Sequence, residues 1–239
     1  MNNIKYFVII ISVLMVNIID AQENYGELIF VDDFERVESQ ELKDEPGNNW
    51  TTSSNKTAPG HKQVDLIDGT LHIWMHKSAN HATAVRHELG FKDGSVGLKF
   101  LLTSNQDELK LNFADLSLKT VWAGHLFDVV VRTHEIVFED RKTGNMNLKI
   151  RKSILEKSLT KAQKESLKSK IHKTPYVLEI NKWYELLVHI NKNKVEVEIG
   201  GKKVGEFKSE GFEHNNKALL RLLVPNQVYI DDVKFWNRK

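Results

Sequence analysis

The chain has no cysteine in its 239 residues. That excludes disulfides, a cysteine-based metal site and a lipid anchor on cysteine, so stability has to come from a packed core. An excess of one charge is also missing. With 34 basic and 32 acidic residues the net charge is +2, which argues against wrapping nucleic acid and makes any electrostatic argument a local one. No His-Glu-x-x-His stretch, glycine-rich phosphate loop or Gly-x-Ser-x-Gly elbow occurs, so metalloprotease, nucleotide-dependent and serine hydrolase chemistries lack their signatures. The N-terminal apolar run, Tyr6 to Ile19, is interrupted by Ser12 and Asn17 and is shorter than the ~20 residues of a membrane span. With Lys5 before it and Asp20-Ala21-Gln22 after it, it reads as a signal peptide over 1–21. The expectation is an exported protein, periplasmic, cell-surface or secreted, with no membrane span after cleavage.

What is present is alternation. Gln63 to Leu66 and Thr70 to His76 flank Asp68-Gly69, a dipeptide suited to a tight hairpin. Asp93-Gly94 separates Ala82 to Leu89 from Ser95 to Thr103. Further strands are expected at 108–115, 125–133, 136–140, 176–180, 183–190 and 194–199, and, after Gly200-Gly201, at 204–207, 218–224 and 228–236. About a dozen short strands with polar turns over 22–239 predict a single all-β domain, an antiparallel sandwich. Val31-Asp32-Asp33-Phe34 and Ile230-Asp231-Asp232-Val233, each inside an apolar run, suggest that the first and last strands lie together. Asp33, Asp231 and Asp232 offer oxygen ligands for calcium there, or else cap and solvate the strand ends.

One stretch departs from the pattern. From Ser153 to Lys173, Leu155, Leu159, Ala162, Leu167 and Ile171 recur at helical spacing among lysines, with Thr160 as a cap and Pro175 beyond the end. This predicts a helical insertion at about 153–173. Its lysines, Lys161, Lys164, Lys168, Lys170 and Lys173 among them, form either a solvated face or a docking surface for an acidic polymer or membrane.

In Leu71 to His76, period two puts Leu71, Ile73 and Met75 on one face and His72, Trp74 and His76 on the other. Imidazoles around an indole suit a pyranose, whose C–H face stacks on tryptophan; the alternative is a covered tryptophan on a polar exterior. His81, Arg86 and His87 follow on the next loop and strand, and pairing is expected to bring them near that row, with Arg86 and His87 on opposite faces. A guanidinium holds a carboxylate or polarises a carbonyl, and a neutral imidazole removes a proton near pH 7. Leu109, Leu111 and Phe113 form an apolar face that leaves Lys110 and Asn112 on the other, with Asp115 at the strand end and His125 at the start of the next strand. The candidate constellation is His76, His81, Arg86, Asn112, Asp115 and His125. Three histidines with Asp115 also offer a divalent metal a set of ligands from separate strands.

Glu135-Ile136-Val137-Phe138-Glu139 is the nearest approach to a two-carboxylate glycosidase strand. Laminarinase-like jelly rolls carry Glu, Asp and Glu at alternate positions there, and this chain has Val137 in the middle. Taken together, Asp32-Asp33-Phe34, Trp50, Asp68-Gly69-Thr70-Leu71, Asp93-Gly94, the Trp183 strand, Gly200-Gly201 and Ile230-Asp231-Asp232-Val233 resemble the concanavalin A-like jelly rolls. More narrowly, they resemble exported bacterial 3-keto-disaccharide hydrolase-like domains. The resemblance covers about Glu27 to Trp236 and implies action on oligosaccharides oxidised at C3, where the ketone acidifies the C2 proton. It implies His81 or His125 as the base, and Arg86 or a metal as stabiliser of the enolate, beside Asp115. His72, Trp74, His76 and Asn112 would hold the sugar. Asn112-Phe113-Ala114-Asp115 and Gly124-His125-Leu126 stand where that family has Asn-Ser-Gly and Gly-Tyr-Glu segments. The alternatives are a non-catalytic carbohydrate-binding module and a cell-envelope adhesion protein using the lysine-rich insertion.

Overall fold

The structure is a computed structural model and describes residues 25–239; the expected signal peptide lies outside them. In chain order the strands are β1 (Glu27–Asp32), β2 (Thr51–Thr52), β3 (Val64–Ile67), β4 (Thr70–Trp74), β5 (Thr83–Phe91), β6 (Asp93–Leu101), β7 (Glu108–Ala114) and β8 (His125–Arg132). They continue as β9 (Glu135–Asp140), β10 (Ile171–Pro175), β11 (Trp183–Asn191), β12 (Lys194–Ile199), β13 (Lys202–Lys208), β14 (Lys217–Val224) and β15 (Gln227–Arg238). Two antiparallel sheets stack on each other. Sheet A runs β13-β12-β11-β6-β15-β4-β3 with β1 also on β15, and sheet B runs β10-β9-β8-β7-β14-β5-β2.

The core follows from alternation. Val85, Leu111, Phe113, Phe127, Val129, Leu220 and Leu222 of sheet B meet Leu71, Ile73, Val96, Phe100, Val188, Ile230 and Phe235 of sheet A, all fully or almost fully buried in one cluster. Each such side chain contributes on the order of 2 kcal/mol by leaving water. The expected all-β antiparallel sandwich is the fold observed.

The chain ends do lie together. Val31 pairs with Lys234 and Asp32 with Val233. The two Asp-Asp pairs there have different structural roles. Asp32 is buried and accepts from the Phe34 amide (2.9 Å), Arg36 Nη1 (2.6 Å) and Trp50 Nε1 (2.8 Å), which pins the long loop after β1 to the core. Asp231-Asp232 forms a bulge, with Asp232 at φ 50° and a register shift against β6. There β15 changes neighbour: its first half pairs with β4 and its second half with β1.

Asp68-Gly69 is the expected hairpin turn, with both residues at positive φ between paired Ile67 and Thr70. Asp93-Gly94 is not a turn. It opens β6, and the chain crosses from sheet B to sheet A between β5 and β6. The segment 176–180 is not a strand either. The edge strand is β10, just before it, and Pro175 ends that strand where no ladder amide is required. The helical insertion begins earlier than expected and consists of two short helices, α2 (Leu148–Leu155) and α3 (Lys161–Lys168), after a one-turn α1 at Ser54–Thr57. Asn147 caps α2, and Thr160 with Gln163 forms a capping box on α3. Neither α2 nor α3 buries a residue, so the apolar spacing read over 155–171 is not a core stripe. Lys157 at φ 54° breaks the two helices apart, and Ile171 belongs to β10. No described helix is long and apolar enough to cross a membrane.

Candidate functional site

The outer face of sheet B carries a polar row one residue deep. Strand register puts Thr51, Arg86, Arg221, Asn112, Asp128 and Glu139 side by side across β2, β5, β14, β7, β8 and β9. Their sequence neighbours on these strands, such as Val85, Leu220, Leu222, Leu111, Phe113, Phe127 and Val129, point into the core. Strict alternation therefore turns this row outward.

Hydrogen bonds knit most of it together. Arg221 donates to Asn112 Oδ1 (2.8 Å) and to the Ala123 carbonyl (2.8 Å). Asn112 Nδ2 donates to Asp128 Oδ1 (2.5 Å), and Arg141 donates to Asp128 Oδ2 (2.7 Å) and Glu139 Oε1 (2.7 Å). The Ala123 carbonyl is presented by a tight turn, with Ala123 at φ 49° and Gly124 at φ 71°. A Cβ on Gly124 would sit 2.3 Å from the Asp115 carbonyl oxygen, so only glycine fits. Burial pushes the Glu139 carboxyl above its ordinary value despite Arg141. Burial, and then the charge of Arg86, lowers Arg221 to about 10.

Above this row lies a cleft of about 600 Å³ that brings together His81, Arg86 and His125 with Arg221, Asp128, Lys110 and Arg141. Leu116, Met146, Leu219 and Leu223 supply its apolar lining. The two histidines present different nitrogens. His125 Nδ1 faces Arg221 Nη1 at 3.4 Å, and a guanidinium only donates, so Nδ1 is the acceptor and Nε2 carries the proton. Burial first, then Arg221, depresses His125 to about 4, which keeps it neutral at pH 7. His81 Nδ1 lies 3.2 Å from the Ala82 carbonyl, which only accepts, so Nδ1 carries the proton and Nε2 keeps a free lone pair.

Of the remaining residues proposed from sequence, Asn112 is fully buried beneath the cleft, where it bonds Arg221 and Asp128 and does not join the lining. Asp115 does not join the cleft lining. It accepts from Ser117 Oγ (2.6 Å) and pairs with His214 Nε2 (2.9 Å), and these partners hold its carboxyl below the usual range against the opposing effect of burial. His72 and Trp74 lie on sheet A, with His72 stacked between Trp74 and Tyr229 in a separate depression with Gln227 and Asn226. The expected pairing of the Trp74 row with Arg86 fails because β4 and β5 belong to different sheets. His76 stacks on His61 (3.9 Å) and bonds Ser78, away from both. His87 faces the core against Phe30, Trp50 and Phe235, opposite Arg86 as alternation requires.

Asp33, Asp231 and Asp232 do not gather as a ligand set. Asp33 receives the Glu35 amide and Asp232 pairs with Lys99 at 2.5 Å. Among the described residues the one cluster of potential ligand atoms is Glu38, Glu41 and Asp65, and the Lys62 ammonium bonds all three. Glu135 and Glu139, the nearest approach to a glycosidase pair, are both engaged by cations: Arg132 and Lys173 hold the first, Arg141 the second.

Arg221, Asp128 and Arg141 were missed from sequence. A signal existed for two of them: Asp128 interrupts Leu126 to Val131 and Arg221 interrupts Leu219 to Val224, each a charge inside an apolar strand.

No family model matches the chain, and no curated protein matches it in sequence. Solved structures do match its fold. A β-glucanase from Bacillus licheniformis superposes with a TM-score of 0.57 at 10% identity, over 89% of this chain and 99% of that one. The laminarinase catalytic domain from Thermotoga maritima gives 0.55 at 10% identity, over 89% and 98%. A GlcNAcα1-4Gal-releasing endo-β-galactosidase from Clostridium perfringens gives 0.58 at 8% identity, over 88% of this chain and 62% of that one. The fold is the concanavalin A-like jelly roll expected from the turn and strand-edge motifs.

Proposed function

We propose that the chain is an exported carbohydrate-active protein that lays a saccharide across the outer face of sheet B and cleaves a glycosidic bond by removing a proton next to a carbonyl group. The observation that carries this reading is the convergence of His81, Arg86 and His125 in one cleft, with a free lone pair on His81 and an N–H on a neutral His125. The shared jelly roll supports it further, because the solved structures with this fold include a β-glucanase and a laminarinase.

For a 3-keto-glycoside, the substrate class implied by the resemblance, the chemistry runs as follows. His81 Nε2 takes the C2 proton, and the released electron pair forms C2=C3 with the charge on the C3 oxygen. That oxygen receives hydrogen bonds from His125 Nε2–H and the Arg86 and Arg221 guanidiniums. The C3 carbonyl re-forms, C1=C2 is made, the C1–O bond breaks, and the departing oxygen takes the proton from His81. A neutral imidazole serves as donor here because its N–H is fixed by the arginine on its other nitrogen.

The test is turnover of a 3-keto-glycoside. His81→Ala is expected to lower kcat by about 10²–10⁴ while leaving affinity near that of the unaltered chain. Unchanged turnover in His81→Ala would refute the assignment of the base. A second reading, binding without cleavage, is favoured by the engagement of Asp128 and Glu139 by Arg141, which leaves the cleft without a free pair of carboxylates for hydrolysis. Binding of a keto-glycoside with no turnover across a panel of linkages would select it.

A further inference from the structure

We propose that Arg86 and Arg221 form a subsite for an oxyanion substituent of the saccharide, so that the cleft takes an acidic glycan. This rests on the reading of the cleft as a glycan site and specifies the class of sugar.

Two guanidiniums stand side by side in strand register, Arg86 on β5 and Arg221 on β14. Arg221 is partly committed to Asn112 and Ala123. Arg86 is not committed at all. Among the described residues it has no acceptor and no carboxylate partner, and its Nε is shut away from water without a hydrogen bond. A buried donor left unmet costs about 1–3 kcal/mol, and a like charge on the adjacent strand adds to that cost. One oxyanion bound at the outer nitrogens of the guanidinium would offset the repulsion between the two charges.

The rest of the cleft points the same way. Lys56, Lys110 and Arg141 join the two arginines in its lining, against a single carboxylate, Asp128. Asp128 is already neutralised by Arg141 and bonded by Asn112, and a second carboxylate, Glu139, is bound to Arg141 as well. Neither is left to pair with Arg86. The chain as a whole carries only +2, so this concentration of positive charge belongs to the cleft and not to the average surface. Leu116, Leu219 and Leu223 give the same cleft apolar patches against which the C–H faces of a pyranose can rest. An oxyanion on a sugar ring, a uronate carboxylate or a sulfate ester, matches both halves. Arginine suits either group, because its planar fork bonds two oxygens at once. The two guanidiniums together carry more N–H groups than one enolate oxygen uses. For a uronate the carboxylate is itself the carbonyl group that acidifies the neighbouring carbon.

Calorimetric titration of the full chain with three tetrasaccharides decides the matter: an oligouronate, a sulfated galactose oligomer and a neutral β-glucan oligomer, each at low and at physiological salt. At least one acidic ligand is expected to bind tenfold or more tighter than the neutral one and to weaken as salt rises. Which of the two it is identifies the oxyanion. Arg86→Gln should remove most of that tenfold preference, and Arg86→Lys should retain part of it. Neither variant is expected to melt below the unaltered chain, since among the described residues the Arg86 side chain has no hydrogen-bond or ion-pair partner to lose and its Nε is unmet; melting monitors folding independently. Equal affinity for the neutral and acidic ligands, or an acidic-ligand affinity unmoved by Arg86→Gln, overturns the subsite while leaving a glycan cleft standing. If none of these or a wider set of saccharides binds, the glycan reading fails and the subsite falls with it.

Discussion

His125 shows how one side chain is specified by its surroundings. It is half-buried beside Arg221, and both burial and that charge disfavour its protonated form, which holds its pKa at about 4 against an ordinary value of 6.5. In the unfolded chain the same imidazole takes a proton near pH 6.5. As pH falls from about 6.5 to about 4, the unfolded state therefore gains protons that the folded state does not, and stability drops, by up to about 3 kcal/mol from this residue alone. Replacing it by Gln, which cannot titrate but still accepts from Arg221, should flatten that part of the profile. Urea unfolding at pH 7, 5.5 and 4.5 measures the difference; equal slopes for both proteins would show that His125 is not the depressed group. The same physics fixes its chemical role, because an imidazole that stays neutral and accepts at Nδ1 is a hydrogen-bond donor to the cleft. In the mechanism we propose, proton abstraction falls to His81 for the opposite reason, its Nδ1 proton being held by a backbone carbonyl.

Among the elements, the loop between β1 and β2 has little regular structure, and two ion-paired anchors help to hold it. One is Asp32 with Trp50 and Arg36. The other is Lys62, whose ammonium joins Glu38 on this loop to Asp65 on β3. The Glu38 side chain is 4% exposed, and burial, with Asp65 alongside, raises its carboxyl to about 7. A carboxyl raised in the folded state stabilises below its unfolded value and loses that contribution as pH rises through its folded value. Lys62→Met removes the one cation that offsets this, and is expected to cost about 3 kcal/mol near neutral pH. The cost should be smaller at pH 5, where Glu38 holds a proton. Chemical denaturation at pH 5 and pH 7.5 reads both numbers; a deficit independent of pH would mean that Lys62 acts through packing alone. The helices α2 and α3 lie at the other extreme. With capped ends and no buried residue, they ride on the sandwich and contribute little to it.

The whole molecule separates two surfaces that the sequence places within about fifteen residues of each other. Trp74 and His72 lie outside sheet A, while His81 and Arg86 lie outside sheet B, with the full thickness of the core between them. Oligosaccharide affinity at the cleft should therefore be unchanged, within about twofold, by Trp74→Ala. The same holds for charge reversal of Lys161, Lys164 and Lys168, none of which lines the cleft. Calorimetry with a cleft-binding oligosaccharide checks both. A tenfold loss from Trp74→Ala would place the ligand on sheet A, and a loss from the lysine variant would move acidic-polymer binding to the insertion.

By itself the sequence determined which residues face the core and which do not, because period-two alternation is a local property of each strand. Leu71 and Ile73 against His72 and Trp74, Leu111 and Phe113 against Asn112, and Arg86 against His87 all fall as alternation requires. It also determined the hairpins at Asp68-Gly69 and Gly200-Gly201, where backbone angles admit few residue types, and the meeting of the two Asp-Asp segments. Alternation carries no information on which of two sheets a strand joins. Only the tertiary structure decided that β4 and β5 part company, that Asp115 turns to His214, and that Arg221, more than a hundred residues away in sequence, lies beside Arg86. Those choices are made by long-range pairing, where the energy lies in the ladder partner and the opposite sheet and not in the strand's own residues.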